Sequence, residues 1–279
     1  MPEEPAQFAT RVRLRCSSRV RLRRLAHPVA ATLTEGGGGR YTRLHDMQVS
    51  ADASRYVDRV VGEVDGWLSH HEGLYLYALA AKGPGAGAIV EIGSSRGRST
   101  IILAAAARAA GREPVVAIDP HLRGSEGQFR ANVAAAGLSD RVAPLVMRSD
   151  EAAATWHDPI RLLWIDGAHG YEAVKGDFTD WEPFVVTGGV IALHDTYDWE
   201  GPRRLVEELI APPSRFAIIG LVDSITAVRK VAVMTPSIRL RNAAFRRLRA
   251  LYLLGRRRVV PGEARRLVKR ALRALSGPC

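Results

Sequence analysis

Ala88-Ile89-Val90-Glu91-Ile92-Gly93-Ser94-Ser95-Arg96-Gly97-Arg98-Ser99 is the stretch that decides the fold. A short apolar run rich in β-branched residues breaks at Gly93, a turn leads to Gly97, and a helical pattern opens at Ser99. A strand that enters a helix through a glycine turn begins a parallel βαβ unit. Glycine at both ends of the turn allows a tight backbone path and leaves room for a ligand against it, while the helix N-terminus offers unpaired N–H groups. A dinucleotide-binding turn would read G-x-G-x-x-G. This one reads G-x-x-x-G behind Glu91, an acid ill suited to a phosphate ligand.

Outward from this turn the chain alternates short apolar runs with helical patterns. Strands are expected at Ala88–Ile92, Val115–Ile118, Val142–Val146, Leu162–Ile165, Val190–Leu193, Phe216–Leu221 and Ile225–Val233. Helices are expected at Ser99–Ala110, Gly127–Ala136, Tyr171–Phe184 and Arg203–Ile210, preceded by apolar helical stretches at Ala51–Leu68 and Leu74–Ala81. The few residues around Asp223 are too short for a helical crossover, so the last two strands are expected to form an antiparallel hairpin at the sheet edge. The expected fold class is α/β: a Rossmann-like seven-stranded, mostly parallel sheet with helices on both faces.

The net charge of +11 on 279 residues would point to nucleic acid if it were evenly spread. Residues 1–46 hold 9 arginines against 4 acids, and residues 237–279 hold 13 bases against Glu263, which leaves 18 bases and 24 acids for the middle. The middle is therefore acidic, and attraction to phosphate belongs to the ends. Three parts are expected: a basic, mostly disordered segment 1–46, with Met47 a candidate alternative start; a catalytic domain 47–236; and a basic helical tail 237–279. In the tail, Ala244, Phe245, Leu248, Leu251 and Tyr252, then Leu267, Val268, Ala271 and Leu275, follow helical periods between arginines. Such helices suit an anionic membrane surface or an acidic partner, or pack their stripe on the domain or on a second copy of the chain; both readings stand.

Cys16 and Cys279 show no partner spacing, so neither a disulfide framework nor a cysteine metal site is indicated, and a reducing cytosol fits. No secretory signal is visible, and no run approaches the ~18 apolar residues of a membrane span. The expected location is cytoplasmic, with the tail allowing peripheral contact with the inner face of the membrane.

Asp119 ends the second strand, where a carboxylate can accept both hydroxyls of a ribose, so a phosphate-free adenosine is implied. Asp166 ends one strand and His194-Asp195 ends another, and strand ends of a parallel sheet converge at its carboxyl edge. Two carboxylates and an imidazole there could hold a divalent cation, with Mg²⁺ the better fit and Mn²⁺ the alternative; Asp166, His194 and Asp195 are the expected ligands. His169, near-neutral at pH 7, would be the general base. Plain structural roles compete: His169-Gly170 also reads as a turn before the helix at Tyr171, and Asp195-Thr196 as a cap for the next helix.

The run from Gly66-Trp67-Leu68 through Ile89–Gly93, Ala117-Ile118-Asp119-Pro120, Trp164–His169 and Gly188-Gly189 to His194-Asp195 resembles the class I S-adenosylmethionine-dependent methyltransferases. Within them it is most similar to the metal-dependent sugar O-methyltransferases of macrolide and cell-surface glycan pathways. The resemblance spans roughly residues 56–230. It implies S-adenosylmethionine with its methionine end over Gly93–Gly97, which makes Glu91, Gly93, Ser94, Ser95, Gly97 and Ser99 the expected cofactor-binding residues. The ribose would lie on Asp119 and the adenine beside Arg148-Ser149-Asp150, with Ser149 as the contact. An acid followed three residues on by histidine divides into metal ligand and base in those enzymes, and Asp166 and His169 match it; the paired acids found elsewhere in them stand here as His194-Asp195.

The expected function is O-methylation of a hydroxyl on a sugar, glycolipid or lipid-linked acceptor. An RNA methyltransferase recruited by the basic ends is the rival enzyme, opposed by the acidic middle and by the lack of an aromatic-plus-basic stacking surface. A non-catalytic cofactor-binding scaffold is the third reading.

Overall fold

The structure, a computed structural model, describes residues 49–83 and 85–257 together with 267, 268, 270–272 and 274. The expected segment 1–46 and most of the chain beyond 257 lie outside the described residues.

The elements run α1 (Ala51–Glu63), α2 (His70–Lys82), β1 (Ala88–Ile92), α3 (Arg98–Ala109), β2 (Val115–Ile118), α4 (Glu126–Ala135), β3 (Val142–Leu145), α5 (Ser149–Ala153), β4 (Ile160–Ile165), α6 (Tyr171–Trp181), β5 (Val185–Leu193), α7 (Glu200–Leu209), β6 (Phe216–Val222), β7 (Ile225–Lys230) and α8 (Pro236–Arg257). They form one seven-stranded sheet in the order β3-β2-β1-β4-β5-β7-β6. The pairs among β1 to β5 are parallel, and β7 runs antiparallel to both β5 and β6. The seven-stranded, mostly parallel fold with its edge hairpin is therefore as the sequence led us to expect.

Period-two alternation sends the two faces of each strand into separate cores. Ile89, Ala117, Leu162, Trp164 and Ala192 meet α1, α2, α3 and α4 on one face. Val90, Ile118, Leu163, Ile191 and Val228 meet α5, α6, α7 and α8 on the other. Helix α3 is buried continuously from Ser99 to Ala107, since α1 and α2 cover the side that the sheet does not. Its run of alanines follows from that double coverage, which leaves little space for larger side chains.

Some boundaries differ from the sequence reading for local reasons. Helix α1 stops at Glu63 because the following segment turns, its Val64 and Leu68 carbonyls accepting hydrogen bonds from Arg98 at 2.6 and 2.9 Å. Helix α5, five residues long, is too short to show a period. Strand β5 begins at Val185, five residues before its expected start, and carries Gly188 at φ +89 within it.

The C-terminal helix divides the tail's apolar residues. Phe245 and Leu272 are fully buried, and Leu248, Tyr252, Leu253 and Val268 pack beside them on the core. Leu251, expected on the packed stripe, points outward instead. No helix among the described residues is long and apolar enough to cross a membrane.

Candidate active site

The sheet register sets the site. Ile118, Ile92, Ile165 and Leu193 stand level across β2, β1, β4 and β5. The next residue of each strand adds one more ladder bond: Gly93 N–H to the Ile118 carbonyl at 2.8 Å, Asp166 N–H to Ile92 at 2.8 Å and His194 N–H to Ile165 at 3.1 Å. Asp119, Gly93, Asp166 and His194 thus form one row at the carboxyl edge. The strand order reverses between β1 and β4, where α/β sheets open a crevice.

The glycine turn lines one side of that crevice. Gly93 has φ +88, and a Cβ there would lie 2.3 Å from the Asp166 carbonyl oxygen, so only glycine lets β1 turn this close to the end of β4. Gly97, at φ +90, closes the turn through its N–H to the Ser94 carbonyl at 2.7 Å and opens α3. Ser95 donates its N–H to Asp119 Oδ2 at 2.8 Å, and His121 donates its N–H to Asp119 Oδ1 at 2.7 Å. Asp119 therefore clasps the turn to the end of β2; each of its oxygens keeps a second lone pair for a hydroxyl. Ser94 Oγ is buried and makes no hydrogen bond among the described residues.

Three expected cofactor residues stand elsewhere. Glu91 is wholly buried between β1 and α3, its oxygens accepting from Ser99 Oγ at 2.5 Å and from Thr100 Oγ1. Burial pushes its carboxyl up to about 8, against the two hydroxyl bonds, so near neutrality it stays protonated. Glu91 and Ser99 thus brace the turn from behind and do not line it. Ser149 Oγ, the expected adenine contact, donates to Asp177 of α6, which accounts for its proton.

On the other side of the crevice the structure brings together Asp166, His169 and Asp195, the one group among the described residues whose donor atoms lie close enough to share a cation. His169 Nε2 lies 3.0 Å from Asp195 Oδ2, and its ring stacks on Trp199 at 4.6 Å between centroids and 15° between planes. Asp195 adopts φ +54, which turns its carboxylate back from the β5–α7 loop.

His194 occupies a different place from the one expected of a metal ligand. Its side chain is only 4% exposed, with Nδ1 3.0 Å from Asp166 Oδ1 and 3.7 Å from Asp195 Oδ2, and Nε2 3.5 Å from Glu72 Oε2. Burial opposes its charge, but Asp166, Glu72 and Asp195 together push it up to about 10. Both its nitrogens face carboxylates, and it lies outside the group whose donor atoms are close enough to share a cation. His169 takes that position in the cluster instead.

Glu72 and Trp199 are functional candidates that the sequence reading did not single out. Burial works against Glu72, yet the His194 ring beside it and hydrogen bonds from Ser224 and the Ser69 N–H hold it down to about 2. Its signal was the capping box Ser69-x-x-Glu72 opening α2, which predicts an ordered glutamate but not its partner 122 positions away. Trp199 carried no signal beyond its place after β5.

Comparison with known proteins agrees with this architecture. Residues 90–196 match the family described as a methyltransferase domain. A solved protein of Corynebacterium glutamicum is 17% identical with a TM-score of 0.52, the match covering 68% of this chain and 94% of that one. The O-methyltransferase TomG of Streptomyces achromogenes, involved in tomaymycin synthesis and solved with S-adenosylmethionine, is 22% identical with a TM-score of 0.51, over 66% and 92%. An O-methyltransferase of Bacillus cereus, solved with S-adenosylhomocysteine, is 22% identical with a TM-score of 0.50, over 65% and 92%. At these identities the structural likeness is one of fold. The family match is confined to residues 90–196, and what the solved structures share with this chain is the fold.

Proposed function

We propose, on the premise that residues 90–196 are a methyltransferase domain, that the protein moves a methyl group from S-adenosylmethionine to a hydroxyl of a sugar-containing acceptor with an apolar part, such as a glycolipid. The observation that carries this is the Asp166–His169–Asp195 cluster in the same strand-end row as the glycine turn.

The crevice suits the cofactor's chemistry. A phosphate-free nucleoside finds Asp119 for its ribose, with no lysine or arginine among the turn residues that contact Asp119, and the unpaired Ser94 hydroxyl and the α3 N-terminus face the end that bears a carboxylate and an amine. S-adenosylmethionine supplies an electrophilic methyl on sulfur, and the chain's own task is to present a hydroxyl to it and remove the proton. Asp195 Oδ2 lies 3.0 Å from the Nε2 edge of His169, which favours a proton on that nitrogen and leaves Nδ1 to accept the hydroxyl's proton. Stacking on Trp199 fixes the ring plane. The surplus of carboxylates around His194 then favours the imidazolium that forms on His169.

A second reading follows from the same three side chains. A divalent cation held by Asp166, Asp195 and His169 would lower the hydroxyl's pKa directly, and His169 would serve as ligand in place of base. Chelation separates the two, since the base mechanism survives EDTA and the metal mechanism recovers only on adding Mg²⁺ or Mn²⁺.

The apolar part of the acceptor is inferred from the rim. Leu122 follows β2, Val146 and Met147 follow β3, and Trp199 follows β5, all exposed at the carboxyl edge. A free sugar needs no such border, whereas an amphipathic acceptor covers it.

The experiment is transfer of an isotope-labelled methyl from S-adenosylmethionine into a lipid-and-sugar extract. Asp166→Ala and His169→Ala are expected to abolish incorporation while cofactor affinity, read by calorimetry, stays within a few-fold. Label still incorporated by both variants, or loss of cofactor binding as the reason that incorporation stops, would move the chemistry elsewhere.

A further inference from the structure

Helix α8 presents two faces of unlike character, and among the described residues only one is packed. The inward face, Asn242, Phe245 and Arg249, is buried against β6 and the β5–α7 loop. Opposite it, Leu240, Arg247 and Leu251 recur at intervals of seven and four residues, so they form a single outward ridge. Leu240 is 73% and Leu251 59% exposed. Arg239 and Arg246 flank the ridge in the open, and the helix contains seven arginines and no acid. Beside the ridge, Ala243 and Ala250 leave a hollow of about 460 Å³ bordered by Arg246, Arg247 and the single carboxylate of Glu207 on α7.

Leucines along one exposed ridge of an acid-free, arginine-rich helix make the pattern of an interfacial helix, which suits a surface both apolar and anionic. We propose that the outward face of α8 docks on an anionic lipid bilayer, with Leu240 and Leu251 entering the acyl boundary, arginines 239, 246 and 247 on headgroup phosphates, and the hollow admitting a headgroup. A second copy of the chain fits poorly. A two-fold interface would set the same acid-free helix against itself, arginine facing arginine. Nucleic acid would satisfy the arginines but leave the leucines against phosphate.

The helix that docks is also joined to the site. Arg249 donates to the Thr196 carbonyl, next to Asp195, and Tyr252 stands edge-on to Tyr197 at 5.3 Å. Docking through α8 therefore holds the loop that carries Asp195 and Trp199 near the bilayer, where an amphipathic acceptor resides. The docking surface itself does not rest on the methyltransferase reading, and its test needs no acceptor.

The full-length protein is sedimented with vesicles of phosphatidylcholine, with and without about one-third phosphatidylglycerol, at low and high salt. Binding is expected only to the anionic vesicles, weakening as salt rises. The arginine-rich ends of the chain attract such vesicles by charge alone, so the decisive variant keeps the charge: Leu240→Ser with Leu251→Ser is expected to weaken binding about tenfold or more. Both positions are exposed, so the melting temperature and cofactor affinity should not move. Unchanged sedimentation of this double variant overturns the proposal, as does equal binding to neutral vesicles. Retention of an RNA that the same double variant loses would give the face to nucleic acid, and a concentration-dependent dimer that it abolishes would give it to a second copy.

Discussion

The two ends of the sheet each bury a cationic side chain, and they treat it in opposite ways. At the amino edge, Arg161 of β4 is fully enclosed and its charge is balanced: Nε donates to Glu113 at 2.9 Å and Nη2 to the Ala80 carbonyl at 2.6 Å, tying α2 and the β2 approach to the sheet. At the carboxyl edge, His194 faces Asp166, Asp195 and Glu72, three carboxylates for one positive charge. A balanced buried cation holds elements together. A surplus of buried carboxylate gains nothing for stability and persists where a further positive charge, a proton or a cation, is to be received.

That contrast can be broken by exchanging the expected outcomes. The largest effect belongs to the carboxyl edge: His169→Ala should lower kcat by about 10²–10⁴ while the denaturation midpoint hardly moves, because the ring is partly exposed and lies against Asp195 and Trp199. Arg161→Met should do the reverse, losing about 3 kcal/mol in urea denaturation through the stranded Ala80 carbonyl and Glu113, with kcat of the folded protein retained. A kcat lost at Arg161 with stability intact would mean that the amino edge is not merely structural.

Glu91 sharpens the comparison from inside the sheet. Its folded pKa lies near 8 and its unfolded value near 4.5, so between these the unfolded chain releases a proton that the folded chain keeps. Stability should therefore fall by up to ~1.4 kcal/mol per pH unit across that window, and level off above it. Glu91→Gln should flatten the slope and gain on the wild type from pH 5 to pH 8. Parallel slopes would show the carboxyl to be ionised in the fold. The smallest effect is expected at Trp199→Ala, a rise in acceptor KM of a few-fold to tenfold with a lesser fall in kcat, as the acceptor loses the exposed indole and His169 its stacking partner.

The contrast also explains what the sequence could show. Strands and the switch point were legible because β1, β2 and β4 are short apolar runs, buried on both faces and closed by Gly93, Asp119 and Asp166. Asp166 and Asp195 were legible as strand-end residues, and His169 as the histidine three positions after Asp166 that the resemblance implied. The division of labour between the two histidines was not. It depends on Glu72 arriving from α2 to occupy the far nitrogen of His194, a contact between residues 122 positions apart that no local pattern encodes. Glu91 misled for a related reason: spacing places it beside the turn, but the alternation of β1 points it into the core under α3. The tail's outward leucines were hidden because Leu251 fits a helical stripe as well as its neighbours do; only packing shows which side of the stripe the domain takes.

The central claim is that the carboxyl-edge crevice, and no other part of the chain, receives the methyl donor opposite the Asp166–His169–Asp195 cluster. A crystal structure with S-adenosylhomocysteine tests it directly. The account predicts ribose hydroxyls on Asp119, the amino acid end over Gly93–Gly97 and the sulfur turned toward His169. A ligand lodged in the hollow between α7 and α8, or bound at the turn with its sulfur facing away from all three cluster residues, would contradict it.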